Sequence, residues 1–358
     1  MSATTVLICC GSGGVGKTTT SAALAIMLAM SGKRVAVLTI DPARRLADAL
    51  AIGHVGNTAV EVHLEGARGT LHAMMLDPKL TFDEVVGRFA PNDEARARIL
   101  GNHVYQNVSA RLAGAHEYMA MEKLLELVET GRWDVVVLDT PPTRHALDFL
   151  RAPEKMANLM DEGVMRWLVL PASRGGWRMI EKGSEILASI LQRLVGERTI
   201  TDIAEFFTSF QSLWDGFRER SVHVRALLRA PNTHFFLVTT PAPNARAEAL
   251  EFLDLLVADQ MPFAGFLVNR CAMRPTEADP ATFGEVPGSA ATCAALAALP
   301  ERQRQLVEAQ ARALADLAAQ APRGARVWQL PDVPGTVSDL GSLQAFAAHL
   351  PTPADLSL

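Results

Sequence analysis

Short apolar runs alternate along this chain with longer stretches of helical spacing. Thr5–Cys10, Val35–Ile40, Leu71–Leu76, Trp133–Asp139, His234–Thr239, Phe263–Asn269 and Arg326–Leu330 read as strands. Most are near-continuous and β-branched, the pattern of strands buried on both faces. Between them, Ser21–Met30, Thr81–Phe89, Glu94–Glu129, Ala245–Val257, Ala290–Ala319 and Leu340–Leu350 carry helical periodicity, and Gly32-Lys33-Arg34 ends the first helix. From Arg151 to Arg229 no strand is evident. Met156, Met160, Met165 and Trp167, then Ile186, Leu187, Ile190 and Leu191, then Phe206, Phe207, Phe210, Leu213, Trp214 and Phe217 recur at helical spacing there. Strands alternating with helices predict an α/β fold, a doubly wound, mostly parallel sheet with an inserted helical subdomain. The expected boundaries are a core over 1–150, the helical insertion over 151–230, and the remainder of the core over 231–358.

The chemistry concentrates where the first strand meets the first helix. Gly11, Ser12, Gly13, Gly14, Val15, Gly16, Lys17, Thr18 and Thr19 follow the strand, and Gly11, Gly16, Lys17 and Thr18 satisfy the spacing G-x-x-x-x-G-K-[ST]. Glycines let successive backbone N–H groups turn inward around phosphate oxygens, and the helix beginning near Lys17 aims its positive dipole end at the same anion. Lys17 is placed to reach β- and γ-phosphates, and the Thr18 hydroxyl to meet Mg²⁺. The reading is a P-loop NTPase. The loop has no internal repeat, so the chain carries one nucleotide site.

Two aspartates end strands on the edge where such sheets gather ligands. Asp139 has the position of an acid that holds the magnesium hydration shell. Asp41 either orients an attacking water or caps the turn that begins with Pro42. Thr18, Asp41 and Asp139 form the candidate magnesium set. His116, Glu117 and Glu122 could act as metal ligands, although His116 and Glu122, six apart, share a helix face poorly and a solvated or interface face fits them better. The Met and aromatic stripe over 151–229 could line a groove for an apolar partner or form a subdomain core.

The composition is that of an ordinary globular chain of 358 residues, with 49% hydrophobic and 20% charged residues. A net charge of −5 gives no basic field for nucleic acid, and no nucleic-acid partner is expected. The four cysteines form no C-x-x-C pair, and Cys9 and Cys10 sit on a strand, as small hydrophobes in a reducing compartment would. No secretory signal or membrane-spanning run is read, so the expected location is cytoplasmic, with peripheral placement at the membrane as an option.

The phosphate loop, Asp41-Pro42-Ala43, Asp139-Thr140-Pro141-Pro142-Thr143-Arg144-His145 and Val268-Asn269-Arg270, taken in order, resemble the deviant-Walker-A ATPases of the arsenite-pump and tail-anchored-protein-targeting group. The chain looks most like the bacterial ArsA-like anion-transporting ATPase subunits. The resemblance implies that Asp41 is the switch I acid that positions the hydrolytic water. It makes Asp139 to His145, Pro142 included, the switch II segment that senses the γ-phosphate. Asn269, beside Arg270, would bond adenine, making ATP the nucleotide, and Pro331 would lie in the adenine-flanking loop. It also implies a dimer that closes on ATP and reopens on hydrolysis, coupled to membrane transport or membrane-protein targeting.

The chain departs from that pattern at Ser12, where the family's loop carries a lysine that reaches the partner protomer's phosphates. The dimer is therefore expected either as a homodimer or as a heterodimer with a related subunit that bears the lysine. Clustered cysteines for zinc or a metalloid are absent from the sequence. A partitioning or positioning ATPase acting as a spatial scaffold is the competing reading. An iron–sulfur reductase would need cluster cysteines near the switches, and none is there.

Overall fold

The computed structural model describes residues 4–41, 45–50, 52–53, 56–103, 105–106, 115–141, 213–273, 299–333, 335, 337 and 339–356. Its first compact unit comprises Met1–Met75, Gly131–Ala146 and Ala230–Leu358. An eight-stranded sheet runs through it: β1 (Thr5–Cys10), β2 (Arg34–Thr39), β3 (Val60–Val62), β4 (Thr70–Met75), β5 (Val135–Asp139), β6 (Thr233–Thr239), β7 (Phe263–Cys271) and β8 (Arg326–Pro331). Their order is β3-β4-β2-β5-β1-β6-β7-β8. Every pairing is parallel except β3 with β4. The expected mostly parallel α/β sheet is therefore observed. The antiparallel edge strand β3 was not read from the sequence, because three residues with only Val62 buried carry no legible period.

Helix α1 (Lys17–Met30) follows the phosphate loop, and Leu24, Ile26 and Leu28 are fully buried on it. They form one cluster with alternate strand residues: Leu7 and Cys9, Val35 and Val37, Val135 and Val137. The short α2 (Arg45–Ala49) adds Leu46 to that cluster. Right-handed crossovers carry the chain leftward from β1 to β2 and rightward from β6 to β7, so the intervening helices cover opposite faces. The end of β1 is thus the point where the winding reverses, and it is there that the loop 11–16 sits.

The second compact unit comprises Leu76–Thr130 and Leu147–Arg229. Of the expected insertion 151–230, residues 151–212 lie outside the described residues. The described helices are α3 (Pro78–Phe89), α4 (Asp93–Gly101), α5 (Ala115–Glu129) and α6 (Trp214–Leu228). Asp77 and Asn92 cap α3 and α4 by accepting from the Leu80 and Ala95 N–H groups. Phe82, Val86, Ile99, Tyr118 and Phe217 form its core. Glu122 on α5 is only 1% exposed and lies 2.7 Å from Arg220 on α6 and 3.5 Å from Arg88 on α3. Sequence spacing left this glutamate on a solvated or interface face or in a metal cluster. It is instead a buried ion-pair partner, and among the described residues no three His, Cys, Asp or Glu side chains gather to hold a metal. The His116 side chain lies outside the described residues.

Back in the first unit, α7 (Pro243–Ala258) packs on β6 and β7, and α8 (Leu299–Gln320) on β7 and β8. Helix α9 (Leu340–Ala347) lies along α1, its start fixed by a capping box between Asp339 and Ser342. No described helix is long and apolar enough to cross a membrane.

Candidate nucleotide site

The loop 11–16 is held by close packing that two of its glycines make possible. Gly16 has φ +92°, and a Cβ there would collide with the Asn269 side-chain amide; at Gly11 a Cβ would run into the Val238 carbonyl. Lys17 opens α1, is 7% exposed, and donates from Nζ to the Ser12 carbonyl at 2.8 Å. Burial pulls its ammonium below the ordinary lysine value, while the neighbouring Asp139 carboxylate acts in the opposite sense. The Ser12 side chain is nearly buried, whereas Gly13 and Gly14 are exposed. Thr18 and Thr19 are half-buried on the first turn.

Asp139 ends β5, fully buried, with Cys9 of β1 and Thr39 of β2 as its strand neighbours. Its Oδ2 accepts from the Thr18 hydroxyl at 2.8 Å and from the Thr39 hydroxyl at 3.0 Å. Ser21 Oγ, which donates to the Lys17 carbonyl at 2.9 Å, also lies 3.4 Å from Asp139 Oδ1. Burial lifts the Asp139 carboxyl to about 6; the two threonine hydroxyls and Lys17 act against that rise. Thr140 continues the chain onto β1, donating from its hydroxyl to the Cys9 carbonyl at 2.8 Å.

Asp41 follows β2. Its N–H donates to Thr39 Oγ1 at 3.2 Å, and its carboxylate lies 3.9 Å from Arg45 at the start of α2. The fold thus brings Lys17, Thr18, Asp41 and Asp139 to one edge of the sheet. Pro142 lies outside the described residues, as do Thr143, Arg144 and His145. Thr39 and Ser21 were not singled out from sequence. A threonine ending an apolar strand two residues before an aspartate is the only signal for Thr39, and its value depends on strand register.

Asn269 ends the buried part of β7 and donates from Nδ2 to the Val15 carbonyl at 3.0 Å, while its Oδ1 accepts from the Arg270 N–H at 2.9 Å. Arg270 adopts φ +57° and lines a cavity of about 470 Å³ with Ser12, Gly13, Gly14 and Val15. Pro331 pairs in register with Cys271, and the next N–H, of Asp332, donates to the Cys271 carbonyl at 2.9 Å. Asn269, Arg270 and Pro331 therefore share the edge that carries the loop. Hydroxyl and carboxylate oxygens suit Mg²⁺, which keeps most of its waters and completes its shell from a nucleotide. The glycine cradle, the buried lysine and this hard-oxygen pair fit Mg-ATP together.

Comparison with protein families bears on the same residues. The model of the anion-transporting ATPase family matches residues 4–270, from the residue before β1 to the Asn269-Arg270 pair. The chain belongs to that family. The family is one of ATPases, as the loop chemistry requires. Three relatives agree: the ATPase get3 of Aspergillus terreus is 33% identical over 207 residues, 55% of this chain and 58% of that protein. The ATPase GET3 of Malassezia globosa is 36% identical over 147 residues, 41% of this chain and 42% of that protein. The ATPase GET3 of Podospora anserina is 30% identical over 258 residues, 66% of this chain and 74% of that protein. The matched stretches span about half the length of the first two relatives.

Proposed function

We propose that this anion-transporting ATPase family member binds Mg-ATP and hydrolyses it. The observation that carries the reading is the buried Asp139 carboxylate, shared by the hydroxyls of Thr18 and Thr39 beside the Lys17 ammonium. When bound, Mg²⁺ neutralises charge on the phosphates and orders them for in-line attack. The backbone N–H groups of 13–18 and the α1 dipole hold the phosphates. Lys17 turns from the Ser12 carbonyl toward phosphate oxygens. Thr18 and Asp139 would hold the cation, and the Asp41 carboxylate would orient the attacking water. Asn269 recognises adenine between Arg270 and Pro331, and Pro142 belongs to the segment that responds to the γ-phosphate.

The protein acts as a cytoplasmic dimer whose opening and closing is set by the nucleotide. That cycle drives transport at a membrane or delivery of a membrane-protein client, the helical insertion over 151–230 presenting the client surface. The family's description as anion-transporting supports the transport direction, and the sequence resemblance described above supports delivery. Ser12 has neither the length nor the charge to reach a partner's phosphates, which favours an unlike partner subunit bearing a lysine at that position.

Isothermal titration with Mg-ATP and phosphate release by the purified chain test the core of this reading. Binding that survives K17A unchanged overturns it. For the partner, S12K should raise turnover of the chain alone by about 10²-fold or more, the scale of one charge-stabilising contact. No rise, or fast turnover by the unmodified homomer, overturns the unlike pair.

A further inference from the structure

We infer that Thr39 is a positioning residue, coupling the Asp139 carboxylate to the backbone of Asp41. The proposal rests on the ATPase reading and adds to it the link from Thr39 to the Asp41 backbone, to which that reading gives no role.

Register places it. β2 and β5 run parallel with Leu38 beside Leu138 and Thr39 beside Asp139, so the last residue of one strand meets the last of the other. Thr39 is 2% exposed, and its hydroxyl makes two contacts of opposite sense. An ionised carboxylate only accepts and a backbone N–H only donates. The single hydroxyl proton therefore goes to Asp139 Oδ2 at 3.0 Å, and an oxygen lone pair takes the Asp41 N–H at 3.2 Å. Thr18 donates to the same Oδ2 at 2.8 Å. A directed chain results: the Asp41 amide donates to Thr39, Thr39 donates to Asp139, and Thr18 donates to that same oxygen.

One carboxylate oxygen is thus claimed by the phosphate loop and by the strand that leads into Asp41. Any turn of the Asp139 carboxylate toward a cation changes what Thr39 can donate to, and the hydroxyl's other contact is the peptide that aims Asp41. The β-branched side chain in a strand has few rotamers, so the hydroxyl is held in line. Serine retains the two contacts. Valine retains the volume and loses both.

The test uses the full chain with T39V and T39S. Hydrogen–deuterium exchange over the Asp41 amide, without nucleotide, should quicken about three- to tenfold in T39V, the value of one lost hydrogen bond, and stay near wild type in T39S. In Mg-ATP turnover, kcat of T39V should fall about 10- to 10²-fold with KM little changed, the signature of a displaced group and not of lost binding, and T39S should restore it. Unchanged exchange and kcat in T39V overturn the proposal. So does a T39S as slow as T39V, which would assign the effect to methyl packing. If T39V loses cooperative melting, T39A is measured in its place by the same criteria. A wild-type chain without Mg-ATP turnover overturns the ATPase reading instead, while the nucleotide-free exchange still decides Thr39.

Discussion

Lys17 Nζ lies 2.8 Å from the carbonyl oxygen of Ser12, five residues earlier in the same loop. The ammonium is buried and its pKa is lowered by that burial; the Asp139 carboxylate acts against the shift, and the Ser12 carbonyl accepts the ammonium's hydrogen bond. Hydrogen bonds to charged groups contribute about 1.5–3 kcal/mol, so K17A should weaken Mg-ATP binding about 10- to 10²-fold. Calorimetric titration checks the size of the loss, and a thermal melt separates it from unfolding.

Asp139 gives a pH dependence whose sign is set by its burial. Its carboxyl is lifted from 3.8 to about 6, so between those values the folded chain holds a proton that the unfolded chain has released. Stability without metal or nucleotide is then favoured at low pH and lost as pH rises through about 6, by roughly 3 kcal/mol in all. D139N removes this dependence. The unfolding free energy of D139N minus that of wild type should grow from pH 4 to 6 and level off above, as read by urea titration. In the proposed role Asp139 meets magnesium as the ionised form, so Mg-ATP affinity in wild type should fall as pH drops below about 6.

Gly16 is tested through its neighbour. G16A places an alanine at φ +92° with its Cβ against the Asn269 amide, and should cost about 1–3 kcal/mol. N269A removes the obstacle and leaves the backbone strain. In a double-mutant cycle the G16A penalty should shrink in the N269A background without disappearing.

In the helical unit, Arg220 is the 2.7 Å partner of the nearly inaccessible Glu122 and also lies 2.7 Å from Glu129. R220A leaves the buried Glu122 carboxylate with only the longer Arg88 contact at 3.5 Å, and should cost about 3 kcal/mol. The double variant E122Q/R220M, which leaves only the partly exposed Arg88 and Glu129 with a partner fewer, should recover most of it in a denaturant titration.

Which parts of this molecule were legible in sequence follows from distance along the chain. The phosphate loop is local: Gly11, Gly16, Lys17 and Thr18 specify their geometry within eight residues, and the strand before and helix after are read from the same stretch. Asp139 could be placed because a strand-end acid needs only its own strand. Thr39 could not, since its meaning lies in the β2–β5 register across 100 positions. The burial of Glu122 was not legible for the same reason, because the groups that pair with it, Arg220 and Arg88, come from other helices. For Asn269, sequence marked the residue, while its hold on the Val15 carbonyl comes from the order of strands in the sheet.

That contact between Asn269 and Val15 spans 254 positions. During synthesis the loop is made well before its clamp, so a nascent chain carries the glycine-rich segment long before β7 exists to brace it. Closing so distant a contact is slow and depends on β1 and β6 already being paired. A ribosome-bound chain that stops short of β7 therefore carries the loop without its brace. Competence to grip a nucleotide tightly doubles as a signal that the sheet has been assembled as far as β7.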